Sequence, residues 1–217
     1  MSTVRTPSGT RIFMQSAAGS IQTLSGITKA APPVVSYAGI DPANGDYMAL
    51  SSMFGMTEFE DALVKVANVN AAANTFEAED QNSAAYGTFV SGNMRPLTLA
   101  TEIGDGTGFS ISGFEQQFAE YTLLRDKITR KVPTTVSGGS LEIPMLWDPT
   151  TAAAIAIQTA ADSAAKLGFK ILFPDGLEML FFGYIGASGM PKVGSANEIM
   201  QTSISVTMAT RPRYILP

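Results

Sequence analysis

Two pairs of acidic residues have the spacing and the chemistry of a candidate catalytic site. Glu58 and Glu60 form one pair, and Glu77 and Glu79 form the other. Two carboxyl groups on either side of a sugar linkage carry out glycoside hydrolysis in most glycosidases. Acidic clusters on loops are usually just solvated, however, and nothing in the sequence marks one of these groups as having a raised pKa. The pairs alone therefore do not predict an enzyme.

The absence of two residue types removes most other catalytic chemistry. The chain of 217 residues contains neither histidine nor cysteine. These residues are the commonest general bases, nucleophiles and transition-metal ligands, so Ser-His-Asp and Cys-His arrangements and a His- or Cys-ligated zinc site are excluded. We expect no catalytic residues and no enzymatic activity.

Two loops bear a weak likeness to ligand-binding motifs. The glycine-rich stretch Gly104–Gly108 is not followed by the Gly-Lys-Ser/Thr that a phosphate-binding P-loop requires, so a loop is the better interpretation. Asp41, Asn44 and Asp46 lack the spacing of a calcium-binding loop, so a turn is expected there. We therefore expect no metal ion and no cofactor.

Charged residues form two groups that are candidate contacts between subunits. The basic group closes the stretch Phe114–Lys131, and the acidic group lies within Phe76–Gln81. Cations interleaved with Asp126 face a protein partner or solvent more often than they contact phosphate. We expect the two groups to pair between subunits of an assembly, and salt would weaken that pairing. The candidate residues are Arg125, Lys127, Arg130 and Lys131 in the basic group and Glu77, Glu79 and Asp80 in the acidic group.

The composition favours a protein that buries much of its surface against other copies. Hydrophobic residues make up 45% of the chain and charged residues only 15%, against about 25% charged residues in a typical soluble domain. A monomer with a Ser, Thr, Asn and Gly surface is the alternative. The net charge of −5 argues against a general nucleic-acid-binding surface. We find no signal peptide and no apolar run of about 18 residues, so we expect no membrane span and synthesis in a cytoplasm.

One domain is expected over residues 1–217, with a flexible arm at residues 1–9. Arg11–Gln15 and Leu63–Val69 read as strands, and Ile21–Thr28 as a strand or a link. Residues 87–139 are expected to form a long loop or insertion. Within it Thr88–Val90 could pair with Leu97–Thr101, and the apolar residues of Phe114–Lys131 lie near helical spacing.

Residues 140–212 read as one core unit of strand, helix, hairpin and strand. Ser140–Trp147 alternates apolar and polar residues, which is the period of a half-buried strand. The alanine-rich run Thr151–Leu167 predicts a helix, with Asp148 as N-cap, Pro149 at the first position and Gly168 as the stop. Two further strand patterns flank the turn Pro174-Asp175-Gly176 as Phe169–Phe173 and Leu177–Ile185, and Glu198–Thr210 alternates again.

This order of elements resembles the major tail tube proteins of long non-contractile-tailed phages. The likeness covers the last third of the chain well and Val64–Asp80 in part, and it is poor for residues 40–60 and 87–131. The matching pieces are Ser140–Pro149, Phe169–Gly176, Phe181–Gly189 and Glu198–Pro212, together with a first strand at Gly9–Gln15.

The resemblance implies a fold, an assembly and a set of partners. The fold would be mainly β, a β-sandwich or partial barrel of two packed antiparallel sheets with one flanking α-helix and long loops. The protein would be a structural virion protein, made in the host bacterial cytoplasm, whose hexameric rings stack into a tail tube. Its partners would be other copies of itself and the tape-measure, tail-terminator and tail-tip proteins. DNA would pass through the lumen without specific binding, which a negative wall suits.

Two other functions fit the same pattern of strands. The first is a tube protein like that of type VI secretion systems, which shares the fold. The second is a carbohydrate- or surface-binding β-sandwich module with Trp147, Tyr184 and Tyr86 as stacking platforms. Trp147 lies at a strand end, where packing in the core is its usual role, and this speaks mildly against the second alternative.

Overall fold

The computed structural model describes residues 8–125, 127–187, 191 and 199–217. Antiparallel strands dominate this part of the chain, and one α-helix, α1 (Ala152–Ser163), accompanies them there. The strands are β1 (Arg11–Met14), β2 (Ala17–Ala18), β3 (Gln22–Ile27), β4 (Val34–Ala38), β5 (Tyr47–Phe54), β6 (Leu63–Asn70), β7 (Thr75–Ala78), β8 (Ser91–Thr98), β9 (Thr101–Glu102), β10 (Ser110–Gly113), β11 (Gln116–Tyr121), β12 (Arg130–Val136), β13 (Gly139–Leu146), β14 (Leu167–Leu172), β15 (Glu178–Ala187), β16 (Gln201–Met208) and β17 (Arg213–Ile215).

Six strands close into a small barrel. Their order is β8-β3-β4-β7-β6-β5, and β5 pairs in turn with β8, so the sheet closes on itself; β2 adds to β8. Alternate side chains of these strands point inward, as the two-residue period of a strand requires. The barrel core includes Val35, Met48, Phe59, Phe76 and Met94.

The remaining strands, apart from β11 and β12, form a second sheet that curls into a partial barrel. Its order is β10-β13-β16-β15-β14-β1-β9, and β17 pairs with β15. The segment after β9 bridges the open side, because the amide of Ile103 donates to Ile12 O at 2.8 Å and the amide of Leu146 donates to Asp105 O at 3.0 Å. Helix α1 covers the concave face and contributes Ile157 to its core.

A third apolar cluster joins the partial barrel to the closed barrel. Phe13, Leu180 and Phe182 of the second sheet pack there against Leu63 and Leu97 of the barrel. Strands β1 and β15 are therefore covered on both faces, which explains why β15 carries a continuous apolar run rather than an alternation. The expected fold class is confirmed: the protein is mainly β, with packed antiparallel sheets and a flanking helix.

The helix is shorter than the sequence indicated. The hydroxyl of Thr151, not the carboxylate of Asp148, caps it by accepting from Ala154 N at 3.2 Å. Asp148 instead accepts from the amide and hydroxyl of Thr150, at 2.9 Å and 2.6 Å. The last turn ends at Ala164, which has φ +47°, so the predicted end at Leu167 and stop at Gly168 are wrong.

Gly168 has a different role, within β14. A Cβ there would lie 3.2 Å from Leu97 Cδ1 and 3.4 Å from Leu63 Cδ2. The missing side chain therefore lets the second sheet approach the barrel closely. The packing of the two sheets explains why a glycine follows the alanine-rich run, and the local sequence does not show this packing.

Residues 87–139 are not a long loop. They contain β8, which pairs with β2, β3 and β5 and so completes the barrel, and Ser91–Thr98 is one strand rather than a link between two shorter ones. The helical spacing in Phe114–Lys131 is misleading, because β11 and β12 form an antiparallel hairpin. Residues 40–60 likewise contain a strand, β5.

The other strand predictions agree with the structure where it describes them. Leu63–Val69 matches β6, Ser140–Trp147 matches β13, and the strands flanking Pro174–Gly176 are β14 and β15. Residues 1–7 of the expected arm, and Ser188, Gly189 and Glu198 of the matching pieces, lie outside the described residues.

Candidate assembly surfaces

The hairpin of β11 and β12 is exposed along almost its whole length. Every residue of β11 is exposed, and so is every residue of β12 except the half-buried Val136. An isolated two-stranded hairpin is marginally stable in water, because it has no core of its own. This hairpin therefore presents a surface that another molecule can cover.

Both faces of the hairpin carry apolar side chains. Phe118 pairs with Pro133 on one face and Ala119 pairs with Val132 on the other. The Phe118 side chain is 54% exposed, and the tip adds Leu123, Leu124 and Ile128. Such a cluster of large exposed apolar residues is typical of a protein interface.

The predicted basic residues all lie on this hairpin. Arg125 and Lys127 are exposed at the tip, and Arg130 and Lys131 are exposed on β12. Lys131 forms an ion pair of 2.6 Å with Glu120 on the opposing strand β11. Both partners are more than half exposed, so this pair contributes little to stability, about 0–1 kcal/mol.

The predicted acidic residues lie elsewhere, on the outer wall of the barrel. Glu77, Glu79 and Asp80 line one shallow concavity together with Ala31 and Pro32. The structure gives each carboxylate a partner within the chain: Asn68 donates to Glu77 at 2.7 Å, Leu216 N donates to Asp80 at 2.7 Å, and Lys65 pairs with Glu79 at 3.1 Å. Because Glu77 and Asp80 accept from neutral donors there, those contacts do not cancel their negative charge.

Strand β10 is an edge of the second sheet. Ser110–Gly113 is exposed throughout and pairs only with β13 among the described strands. An exposed edge of this kind presents free backbone groups that can pair with another chain. The sequence signal for β10 was weak, since a four-residue glycine- and serine-rich strand lacks a hydrophobic alternation.

An apolar cavity of about 270 Å³ separates α1 from the end of β13. We call it the α1 cavity; Met145, Trp147, Ile155, Ile157 and Ile204 contribute its apolar lining. Asp148 lies at this cavity, and its hydrogen bonds from Thr150 lower the pKa of its carboxyl group. The sequence did not indicate a cavity, because the gap depends on how the helix lies on the sheet.

The three aromatic residues of the alternative binding module lie in different places. Tyr86 packs edge-on against Phe59, with ring centroids 5.2 Å apart, and contacts the barrel core. Trp147 is half-buried at the α1 cavity, and Tyr184 is exposed on β15. They do not form one stacking platform.

A polar network joins the barrel to the second sheet. The Tyr47 hydroxyl donates to Glu178 at 2.8 Å, and Lys65 pairs with Glu178 at 3.3 Å. Burial, and then the hydrogen bond to Glu178, raises the pKa of Tyr47. Burial alone would lower the pKa of Lys65, but Glu79 and Glu178 outweigh it and the net shift is upward. The network is a structural joint, since it contains no unpaired nucleophile or base.

The described residues contain neither a cluster of metal-ligating side chains nor a membrane-spanning helix. No group of three or more acidic side chains there is placed to hold a metal ion. No helix there is both long and apolar enough to cross a membrane.

Comparison with known proteins assigns the family. A family profile described as phage tail tube protein, TTP, matches residues 54–217, about three quarters of the chain. The matched range includes the hairpin, β10, α1 and the second sheet except β1. Comparison with curated protein sequences found no match. The chain belongs to the phage tail tube protein family, and it is accordingly a structural protein of the virion tail.

Proposed function

We propose that this protein forms hexameric rings that stack into the tail tube, and that phage DNA passes through the lumen of that tube into the host. The observation that carries the proposal is the exposed hairpin of β11 and β12, which extends from the second sheet with apolar side chains on both faces. An element of this kind is stable when a neighbouring subunit covers it.

The edge strand β10 supports the same assembly. If a strand of the next protomer pairs with Ser110–Gly113, the sheet continues around the ring. A closed ring leaves no free edge, which removes the tendency of such edges to aggregate. The low content of charged residues, 15%, fits a subunit that is largely covered in the assembly.

Charges on the hairpin and the barrel supply a second kind of contact. We infer that Arg125, Lys127, Arg130 and Lys131 meet carboxylates of neighbouring subunits, with Glu77, Glu79 and Asp80 as the candidates on the barrel wall. The uncompensated charge on Glu77 and Asp80 favours this pairing. Tape-measure, tail-terminator and tail-tip proteins are the further partners, and the site of synthesis is the host cytoplasm.

The net charge fits a conduit for DNA. A chain with a charge of −5 has a smaller tendency to hold a polyanion than a basic one, whose affinity would depend strongly on salt. DNA can then move past the wall without being held at specific sites. The protein acts as scaffold and channel, without catalysis.

Shortening the hairpin tests the proposal. A variant in which an Asn-Gly turn replaces residues 117–135 keeps Phe114, which packs against the core of the second sheet. We expect circular dichroism and thermal unfolding close to those of the wild type, and loss of large species in sedimentation velocity. A shortened protein that assembles as the wild type does would overturn the role of the hairpin.

A further inference from the structure

We propose that the tip of the hairpin from one protomer docks in the α1 cavity of a second copy, with Leu124 as the buried anchor. The inference rests on the proposed assembly and names the surface that receives the hairpin. Its basis is the position of two apolar features at opposite ends of one strand, neither of them covered by the described residues.

The first feature is the tip. Leu124 is fully exposed, Ile128 is 77% exposed, and Leu123 is exposed between them and the strand β11. None of the three belongs to an apolar core of its own chain. Covering them would remove apolar area from water, which stabilises by about 25 cal/mol per Å².

The second feature is the α1 cavity. Its volume of about 270 Å³ far exceeds the roughly 30 Å³ that one water occupies, and its lining is mainly apolar. Around it the side chains of Leu146, Ile155 and Met200 are exposed. The amide of Trp147 donates to Met200 O at 3.0 Å, which holds this rim together.

The two features lie at opposite ends of β13. The hairpin leads directly into the first residue of β13, Gly139, whereas the cavity lies against Met145 and Trp147 at the other end. The eight residues of β13 span about 26 Å at the usual rise of a strand. A contact between opposite ends of two copies is heterologous, so it repeats from copy to copy and generates a ring or a stack.

The charges of the tip and of the cavity rim also favour docking between two copies of the chain. In the tip, Arg125 and Lys127 follow Leu124 and leave an excess of positive charge over Asp126. Asp148 lies at the cavity. A second carboxylate, Asp162, accepts from the cavity-lining Gln158 at 2.9 Å. The basic tip therefore meets an acidic rim. Arg130 and Lys131 lie on β12 rather than in the tip loop, and they are the cations left for the barrel wall of another neighbouring copy.

Disulfide trapping tests the contact, since the natural chain has no cysteine. One protein carries Leu124→Cys and the other carries Ile155→Cys, and the two are mixed, assembled and oxidised. A disulfide requires Cα atoms about 4.4–6.8 Å apart, so only a close and lasting contact yields the mixed dimer efficiently. The matched control replaces Ile155→Cys with Ile40→Cys, another exposed isoleucine, in the barrel half of the chain.

We expect the 124–155 pair to give a cross-linked dimer at least tenfold more abundant than the 124–40 pair. Equal yields for the two pairs, or no cross-link in particles that electron microscopy shows to be tubes, would overturn the docking and mean that the cavity has another occupant. A wild-type protein that does not assemble at all would instead overturn the proposed function, and this inference with it.

A second variant tests the cavity itself. Ala154→Phe places a large side chain in the cavity, where Ala154 is half-buried. We expect the folded variant to lose the 124–155 cross-link while its circular dichroism spectrum is kept. An undiminished cross-link in this variant would count against the cavity as the receiving site.

Discussion

The hydroxyl of Tyr47 donates a hydrogen bond of 2.8 Å to Glu178, across the joint between the closed barrel and the second sheet. Tyr47 belongs to β5 and Glu178 opens β15, so 131 positions of the chain separate the two residues. Lys65 and Lys170 surround the same pair, and the Lys170 amino group lies 3.3 Å from the Tyr47 hydroxyl. This joint fixes how the barrel is held against the sheet that carries the hairpin.

Removing one hydroxyl tests the joint. Tyr47→Phe leaves the ring in place and takes a donor from the half-buried carboxylate of Glu178. A hydrogen bond to a charged group contributes about 1.5–3 kcal/mol, so we expect the free energy of unfolding to fall by about 1–2 kcal/mol. Denaturant unfolding of the unassembled protein measures this change in the free energy of unfolding.

The matched control for this variant is Tyr214→Phe, at a tyrosine that is 50% exposed. We expect a change below about 0.5 kcal/mol there. Equal effects of the two substitutions would mean that the Tyr47 hydroxyl does not stabilise the joint.

Alkaline titration of the tyrosines gives a second prediction. Burial and then Asp41 raise the pKa of Tyr37 to about 12, and burial and then Glu178 also raise the pKa of Tyr47. A raised pKa means that the folded state favours the protonated phenol. The stability this contributes is complete below the ordinary tyrosine value of about 10 and is lost as the pH rises through the folded-state pKa.

Ultraviolet absorbance of the phenolate measures this directly. We expect Tyr37 and Tyr47 to ionise well above pH 10 in the folded protein, and Tyr37→Phe to remove one of these late transitions. Ionisation of Tyr37 and Tyr47 near pH 10, without unfolding, would contradict the environments described for both residues.

Close contact of two glycine backbones gives a third prediction. A Cβ on Gly87 would lie 1.9 Å from the carbonyl oxygen of Gly55, and backbone atoms cannot move aside as a side chain can. We expect Gly87→Ala to destabilise the fold by at least about 2 kcal/mol. The control is Gly104→Ala, because a Cβ there meets nothing within 4 Å. Thermal unfolding compares the two, and a stable Gly87→Ala variant would refute the contact.

Charge exchange tests the pairing of the hairpin with the barrel wall. Lys131→Glu together with Arg130→Glu should weaken assembly, and Glu77→Lys with Asp80→Lys in the same chain should restore part of it. The control is Arg211→Glu, at an exposed position outside both groups. Sedimentation at rising salt should also show weaker assembly of the wild type, because salt screens exposed charges.

Two results would speak against this pairing. Assembly that is indifferent to salt would mean that the cations do not carry it. Failure of the second pair of substitutions to restore any assembly would mean that Glu77 and Asp80 are not the partners of Arg130 and Lys131.

The sequence predicted those strands and turns whose residue patterns are visible over a few neighbouring positions. Strands β13 and β16 have one buried and one exposed face, so their two-residue alternation is visible. The turn Pro174-Asp175-Gly176 joins β14 and β15 with little intervening chain, and its residue types indicated a hairpin. The family resemblance rested on this same region.

Contacts between distant residues account for what was missed. Strand β8 contains Gly92 and Pro96, which weaken a strand pattern, and it is held by β3 and β5 far away in the chain. The hairpin of β11 and β12 has no buried face, so no alternation marked it. The structure places the predicted basic residues on the exposed hairpin, whereas the link from Glu79 to Lys65 depends on barrel closure, which no spacing reveals.

Electron microscopy of the purified protein over a range of concentrations tests the central claim most directly. We expect hollow tubes or rings with six-fold end views, in which each ring contains six copies of the chain. Rings of another symmetry would contradict the hexameric tube. So would a protein that stays monomeric at every concentration, both alone and with a tail-tip complex added as initiator.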